Sequence, residues 1–276
     1  MFSKIGLAIS FSPTGKALVK ESVRLQHVFN SRLVLIHIGE RNSESEELLF
    51  NTIDEAGADR NNLEIIWGEG DPATAIIKAG KESGIDLLVA GALEKEKMLK
   101  FYFGSVARKI MREFPASSLI LKSPSLEPVP FKKFFITADY SPRCEKTIRT
   151  AFQFALKENA DEFTIIRDFY IPGLTAAIGE NRTYDELSAL IDQMKYEEEE
   201  KMRLFINELN LKGLEIKIVC VYGKEGWEDS NYARTNEADI FAVTGPEKRL
   251  KFLDRLFPHD IEYSLETLPA NLLIIK

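Results

Sequence analysis

Two consecutive α/β domains, each a doubly wound parallel sheet of five strands, are the architecture this sequence predicts. Two observations carry the expectation. Short apolar runs recur along the chain without polar alternation, separated by amphipathic stretches. That is the pattern of parallel strands buried on both faces and joined by helices. The chain also repeats itself. Residues 86–122 end an apolar run at Gly91, cross a charged loop to Phe103-Gly104-Ser105 and close with FPASSLILK. Residues 239–276 do so again at a constant shift of 154, which places Gly91 on Gly245, Phe103 on Phe257, Pro115 on Pro269 and Lys122 on Lys276. A repeat of this length means that function has to be sought in each half and between them.

The starts of the halves agree at a different shift. KIGLAIS from Lys4, followed by Phe11-Ser12-Pro13, matches KFFITAD from Lys133, followed by Tyr140-Ser141-Pro142, at a shift of 129. The two shifts differ by 25, so the second copy carries that many extra residues in its interior. The expansion is assigned to residues 168–210. Domain 1 is expected over 1–124 and domain 2 over 131–276, with Ser123–Pro130 and its three prolines as a stiff polar bridge.

In the first copy the strands are expected at Ile5–Ser10, Leu33–Ile38, Leu63–Trp67, Leu87–Ala90 and Leu119–Leu121. In the second they are expected at Phe134–Ala138, Phe163–Ile166, Glu215–Val221, Ile240–Val243 and Leu272–Ile275. Helical periodicity covers Thr14–Asn30, Pro72–Ser83, Val106–Phe114, Cys144–Glu158, Tyr184–Asn210 and Ser230–Glu237. Right-handed crossovers then wind each sheet on both faces.

Composition narrows the function. At 276 residues the chain has room for two cores, and 45% hydrophobic and 29% charged residues are ordinary for a globular protein. No stretch reaches the roughly 20 apolar residues of a membrane span, the N-terminus has no signal-peptide pattern, and a cytoplasmic protein is expected. Cys144 and Cys220 have no paired spacing, so neither a disulfide framework nor a zinc site is expected. A net charge of −7 argues against nucleic acid as a partner. The acidic run Glu197–Glu200 reads as the wet face of a long helix. Neither His27, His37 nor His259 has a partner at ligand or triad spacing. Trp67 and Trp227 read as packing residues.

With these residues in view, the chain resembles the universal stress proteins in tandem two-domain form, over nearly its whole length. Three features carry the resemblance. Strand one ends near Ser10 or Asp139 before a small polar turn and a helix. Gly68-Glu69-Gly70-Asp71-Pro72 enters the third helix. A Gly-x2-Gly-x9-Gly-Ser/Thr pattern follows strand four, reading Gly91-x2-Glu94-x9-Gly104-Ser105 in copy one and Gly245-x2-Lys248-x9-Pro258-His259 in copy two. The resemblance implies a Rossmann-like, adenine nucleotide alpha-hydrolase-like fold and a cofactor site for ATP with Mg. The glycine pattern would hold phosphates, and Asp139 would lie near ribose and base. Each copy has lost a different part of that pattern.

Ligands of doubly wound sheets sit outside the carboxyl ends of the strands. Ser10, Ser12 and Gly91 would face that crevice, and Gly104-Ser105 would offer backbone donors at a helix start. Glu94 opposes a triphosphate, since like charges ~4 Å apart repel by roughly 1–4 kcal/mol between surface and bulk dielectric. Lys95, Lys97 and Lys100 would either offset that charge or simply keep the loop soluble. In copy two Pro258 has no N–H to give, and the surrounding segment reads as amphipathic. Ser105 is expected to cap its helix and Asp139 to cap the helix after Pro142.

The expected function is that of a non-catalytic stress-response protein acting through a protein partner or small ligand. Its halves would pair through their last strands as an internal pseudo-dimer, with a further homodimer as an option. The alternative is an ATP-binding switch or slow ATPase built on copy one. An ATP pyrophosphatase is disfavoured, because Ser10-Phe11-Ser12-Pro13-Thr14-Gly15 lacks paired glycines.

Overall fold

The structure is a computed structural model that describes residues 1–95, 100–102, 105–170, 184–223, 226–245 and 268–276. Half one contains β1 (Lys4–Ile9), α1 (Gly15–Phe29), β2 (Arg32–Ile38), α2 (Ser43–Glu55), β3 (Leu63–Gly68) and α3 (Pro72–Glu82). It continues through β4 (Leu87–Gly91), β5 (Leu93–Lys95), β6 (Lys100–Tyr102), α4 (Ser105–Glu113) and β7 (Ser117–Leu121). Half two contains β8 (Lys133–Thr137), α5 (Pro142–Glu158), β9 (Glu162–Phe169) and α6 (Tyr184–Glu208). After these come β10 (Ile216–Tyr222), α7 (Glu228–Thr235), β11 (Ile240–Thr244) and β12 (Asn271–Ile275).

Ten strands form one sheet in the order β10-β9-β8-β11-β12-β7-β4-β1-β2-β3. Within each half all pairings of this sheet are parallel, and the halves join where β12 meets β7 antiparallel. The register there puts Leu273 opposite Leu119, with Leu272 opposite Ile120 and Ile274 opposite Ser118. Leu119 and Leu273 are equivalent residues at the shift of 154, so the join has local two-fold symmetry.

Backbone details repeat with the sequence. The Asp86 carboxylate accepts from Ser3 N at 2.7 Å and Lys4 N at 3.1 Å, while Asp239 accepts from Lys132 N at 2.6 Å and Lys133 N at 2.9 Å. Helices α1 and α5 both stop at a left-handed asparagine, Asn30 at φ 52° and Asn159 at φ 50°. Each is followed by a backbone bond reaching five residues back, Ser31 N to Gln26 O and Ala160 N to Ala155 O.

The strand register corrects one alignment. Gly91 pairs with Leu121, and in half two the residue opposite the equivalent Ile275 is Thr244. Gly91 therefore corresponds to Thr244, and Gly245 corresponds to Ala92. The hydrogen bonds agree, because Ala92 N donates to Leu121 O at 2.8 Å and Gly245 N to Ile275 O at 2.7 Å. Matching glycine to glycine slips the alignment by one residue.

Two further elements were not anticipated. Helix α2 starts at a capping box between Asn42 and Ser45 and buries only Leu49 and Ile53. The charged loop after Gly91 contains a short antiparallel ribbon, β5 with β6, in which Glu94 pairs with Phe101. In the expanded segment of half two, α6 is 25 residues long where α2 has 13.

One face of the sheet carries α1, α2, α5 and α6 over a core continuous across both halves. Its centre is Phe154, fully buried, with Phe29 at 4.8 Å, Phe134 at 5.3 Å, Phe131 at 6.1 Å and Phe2 at 6.5 Å between ring centroids. The other face carries α3 and α4 on half one, with Ile76, Ile110 and Phe114 buried, and α7 on half two, with Ala233 buried. Because Phe154 touches rings from both halves, Phe154→Ala should destabilise the chain by about 3–5 kcal/mol. In a chemical-denaturation curve the midpoint should fall without the transition splitting into two.

Candidate functional site

Ligands of doubly wound sheets bind at the carboxyl ends of the central strands, and the two halves are furnished differently there. In half one, β1 stops at Ile9 and the exposed turn Ser10–Thr14 leads into α1. The turn is tight, with Gly15 N donating to Ser12 O at 2.9 Å. A Cβ on Gly15 would lie 2.5 Å from the Ser10 carbonyl oxygen, so only glycine fits there. The hydroxyls of Ser12 and Thr14 lie 3.2 Å apart.

Beside this turn, three rings stack across the ends of β1, β2 and β3. Phe11, 41% exposed, lies on His37 at 4.4 Å, and His37 meets Trp67 edge-on at 4.9 Å. The His37 Nδ1–H donates to Ile9 O at 3.3 Å, and the Arg41 guanidinium stands 6.0 Å over the Trp67 ring. Gly91 closes the other wall against Leu18, whose Cδ1 would be 3.0 Å from an added Cβ.

Of the other anticipated residues, Ser105 is exposed and is the first residue of α4, not the cap before it. Glu94 lies in β5. Gly104 lies outside the described residues, as do Phe103, Lys248, Phe257, Pro258 and His259. The Gly68–Pro72 turn ends in a cap on α3, where Asp71 accepts from Thr74 N at 3.0 Å and Lys109 Nζ at 3.0 Å. Hydrogen bonds from Thr74 first, then from Lys109, hold the Asp71 carboxyl down at about 2.

In half two the equivalent positions carry an arginine, a cysteine and a tyrosine. Register makes Arg167 the counterpart of His37, Cys220 that of Trp67 and Tyr140 that of Phe11. As His37 bonds Ile9 O, so Arg167 donates to Ala138 O at 3.4 Å, and its guanidinium lies 5.5 Å from the Tyr140 ring. The Tyr140 hydroxyl donates to Glu198 of α6 at 2.7 Å, and Lys201 pairs with the same carboxylate at 3.0 Å. Burial, then the Glu198 contact, push the Tyr140 phenol well above its ordinary range. Burial opposes ionisation of Glu198, but Tyr140 and Lys201 outweigh it and hold the carboxyl below its usual value. The acidic run is therefore only partly a wet face.

Asp139 is exposed and does not cap α5. Its Oδ1 accepts from Ser141 N at 2.8 Å, and Ser141 is the cap, accepting from Cys144 N at 3.1 Å. Gly245 is engaged on both sides, its N–H on Ile275 and its carbonyl oxygen on Arg143. Thr244 is tied to Thr147, with hydroxyls 2.9 Å apart. Trp227 precedes α7 and is 39% exposed, so it is not a packing residue. Among the described residues no group of three or more His, Cys, Asp or Glu side chains is placed to hold a metal ion.

The family model of the universal stress protein family matches residues 1–122. Half one is thus similar to the universal stress protein family. A universal stress protein from Archaeoglobus fulgidus DSM 4304 superposes with a TM-score of 0.72 at 15% identity, covering 99% of this chain and 98% of that one. A Pseudomonas aeruginosa UCBPP-PA14 protein assigned to the same family gives 0.71 at 17% identity, covering 100% and 93%. At such identities these likenesses establish the fold, one of mostly parallel strands in a Rossmann-like arrangement. A comparison with curated proteins found no match.

Half one thus keeps an open turn of hydroxyls and rings. The rings were missed in the sequence, although His37 and Arg167 each interrupt an apolar strand near its end. Both thiols, Cys144 and Cys220, are pushed up to about 12, by burial first. Since the thiolate is the reactive form, native protein should give almost no colour with a disulfide reagent at pH 8, and two equivalents per chain after denaturation.

Proposed function

We propose that the chain is a tandem universal stress protein, with residues 1–124 and 131–276 as its two domains. It works in stress response by binding, without catalysing a reaction. Its open crevice is the one in domain 1, which takes a small ligand with a planar base, an adenine nucleotide with Mg being the candidate. Domain 2 holds its own side chains where the ligand would lie and serves as the platform for a protein partner. A soluble cytoplasmic location fits this reading, and no helix among the described residues is long and apolar enough to cross a membrane.

The observation that carries the reading is the contrast between Phe11 and Tyr140. Phe11 lies exposed on His37 with the hydroxyls of Ser10 and Ser12 beside it, a ready stacking surface next to hydrogen-bonding groups. Tyr140 is as exposed as Phe11, 40% against 41%, but its hydroxyl is tied to Glu198 and the Arg167 guanidinium stands over its ring. Ser10, Ser12 and the ring stack fit the base and ribose end of a nucleotide. The phosphates would run toward Ser105, which opens a helix and would supply backbone donors. Asp139 and Gly245 of domain 2 are already engaged, by the turn and by Arg143.

The test is calorimetric titration with ATP and Mg²⁺, preceded by analysis of nucleotide released on denaturation. Binding should be measurable and should weaken about 5- to 100-fold in Phe11→Ala, the worth of one stacked base. Tyr140→Ala should leave it unchanged, and bound ATP should be recovered intact after prolonged incubation. No binding at millimolar ATP would remove the nucleotide from this account. Steady production of ADP would replace the binding role with a slow ATPase.

A further inference from the structure

The symmetry between the halves fails at a buried ion cluster where α1 meets α5. Arg24 of α1 crosses to Glu158 of α5, with NH1 2.7 Å from Oε2. The rest of its guanidinium grips Glu21, NH2 at 2.6 Å and Nε at 3.2 Å. The Glu158 side chain is fully buried, with Glu21 at 5% and Arg24 at 14% exposure. Phe131 N donates to the same Glu158 oxygen at 3.2 Å, and the Phe131 ring lies 4.9 Å below the guanidinium.

None of the three charges has a charged counterpart. At the shift of 129, Arg24 becomes Gln153, Glu158 becomes Phe29 and Glu21 becomes Thr150. On the matching side of the symmetry axis, Phe29 lies among Phe154 at 4.8 Å and Phe2 at 5.2 Å, and Gln153 is exposed. The helix pair α1–α5 is thus ionic on one side and aromatic on the other. Two copies of half one, paired the same way, would set Arg24 against Phe29. Two copies of half two would set Glu158 against Gln153 and strand a buried carboxylate. Buried charge is tolerated only when paired, whereas the leucine pair at the centre of the strand join, Leu119 on Leu273, would accept either pairing.

We propose that the Glu21–Arg24–Glu158 cluster is a recognition device that fits the half-one surface to half two of the same chain and rejects a second copy of itself. The symmetric β-strand join supplies adhesion, and the asymmetric charge supplies the choice of partner. This inference does not depend on nucleotide binding.

The experiment uses the full chain carrying Leu119→Cys. Residue 119 faces residue 273 in the observed register and would face its own copy only if half one paired with half one of another chain. Under mild oxidation this variant should stay monomeric on a non-reducing gel, and Leu119→Cys with Leu273→Cys should close within the chain. Adding Glu158→Arg to the single-cysteine chain brings two guanidiniums together. At roughly 0.5 mM protein, near the effective concentration a short linker gives, 119–119 dimers should rise by at least about tenfold. Adding Arg24→Glu as well should return them to the starting level. Should Glu158→Arg not fold, Arg24→Gln in the same background is read instead and should raise the dimers too. Dimers forming freely in the Leu119→Cys chain alone would overturn the proposal, as would a charge-reversed pair that dimerises as much as the single variant.

Discussion

Everything in this molecule is arranged around one antiparallel strand contact, β7 on β12. Each half is a parallel sheet, and a parallel sheet left with a long apolar edge is an invitation to pair with other chains. Ser117–Leu121 is fully buried and Asn271–Ile275 nearly so, because each covers the other's edge. The contact also decides where the helices go. With Leu119 opposite Leu273, α1 and α5 are carried to the same face and meet over the join, and their phenylalanines fuse two domain cores into one.

The strands were legible because each is a compact apolar run, and all ten main-sheet strands lie within a few residues of where periodicity places them. Helix α2 was not, for a physical reason: it buries only Leu49 and Ile53, so most of its residues face water and carry no periodic signal. The β5–β6 ribbon hides in a lysine-rich stretch with three-residue strands. The repeat itself was readable, but identity of glycines outweighed register and moved Gly245 one place off its counterpart.

The crevices were harder. Ser10, Ser12 and Gly91 do stand where the strand ends predict, yet the groups that distinguish the two sites come from distant segments. Glu198 reaches Tyr140 across 58 residues, and Arg143 reaches Gly245 across 102. Such contacts depend on how α6 lies over the sheet, which no local pattern states. The two copies show how a site changes character without a change of fold. A histidine between rings and an arginine beneath a tyrosine occupy the same backbone position, and each uses the same carbonyl of the neighbouring strand.

The antiparallel join has a directional consequence. Since β7 and β12 run opposite ways while every strand within a half runs together, the carboxyl ends of the two halves lie along opposite rims of the sheet. No single small molecule can span them, and a protein seated on one rim leaves the other free. The chain is two-sided, with only the shared core between its rims.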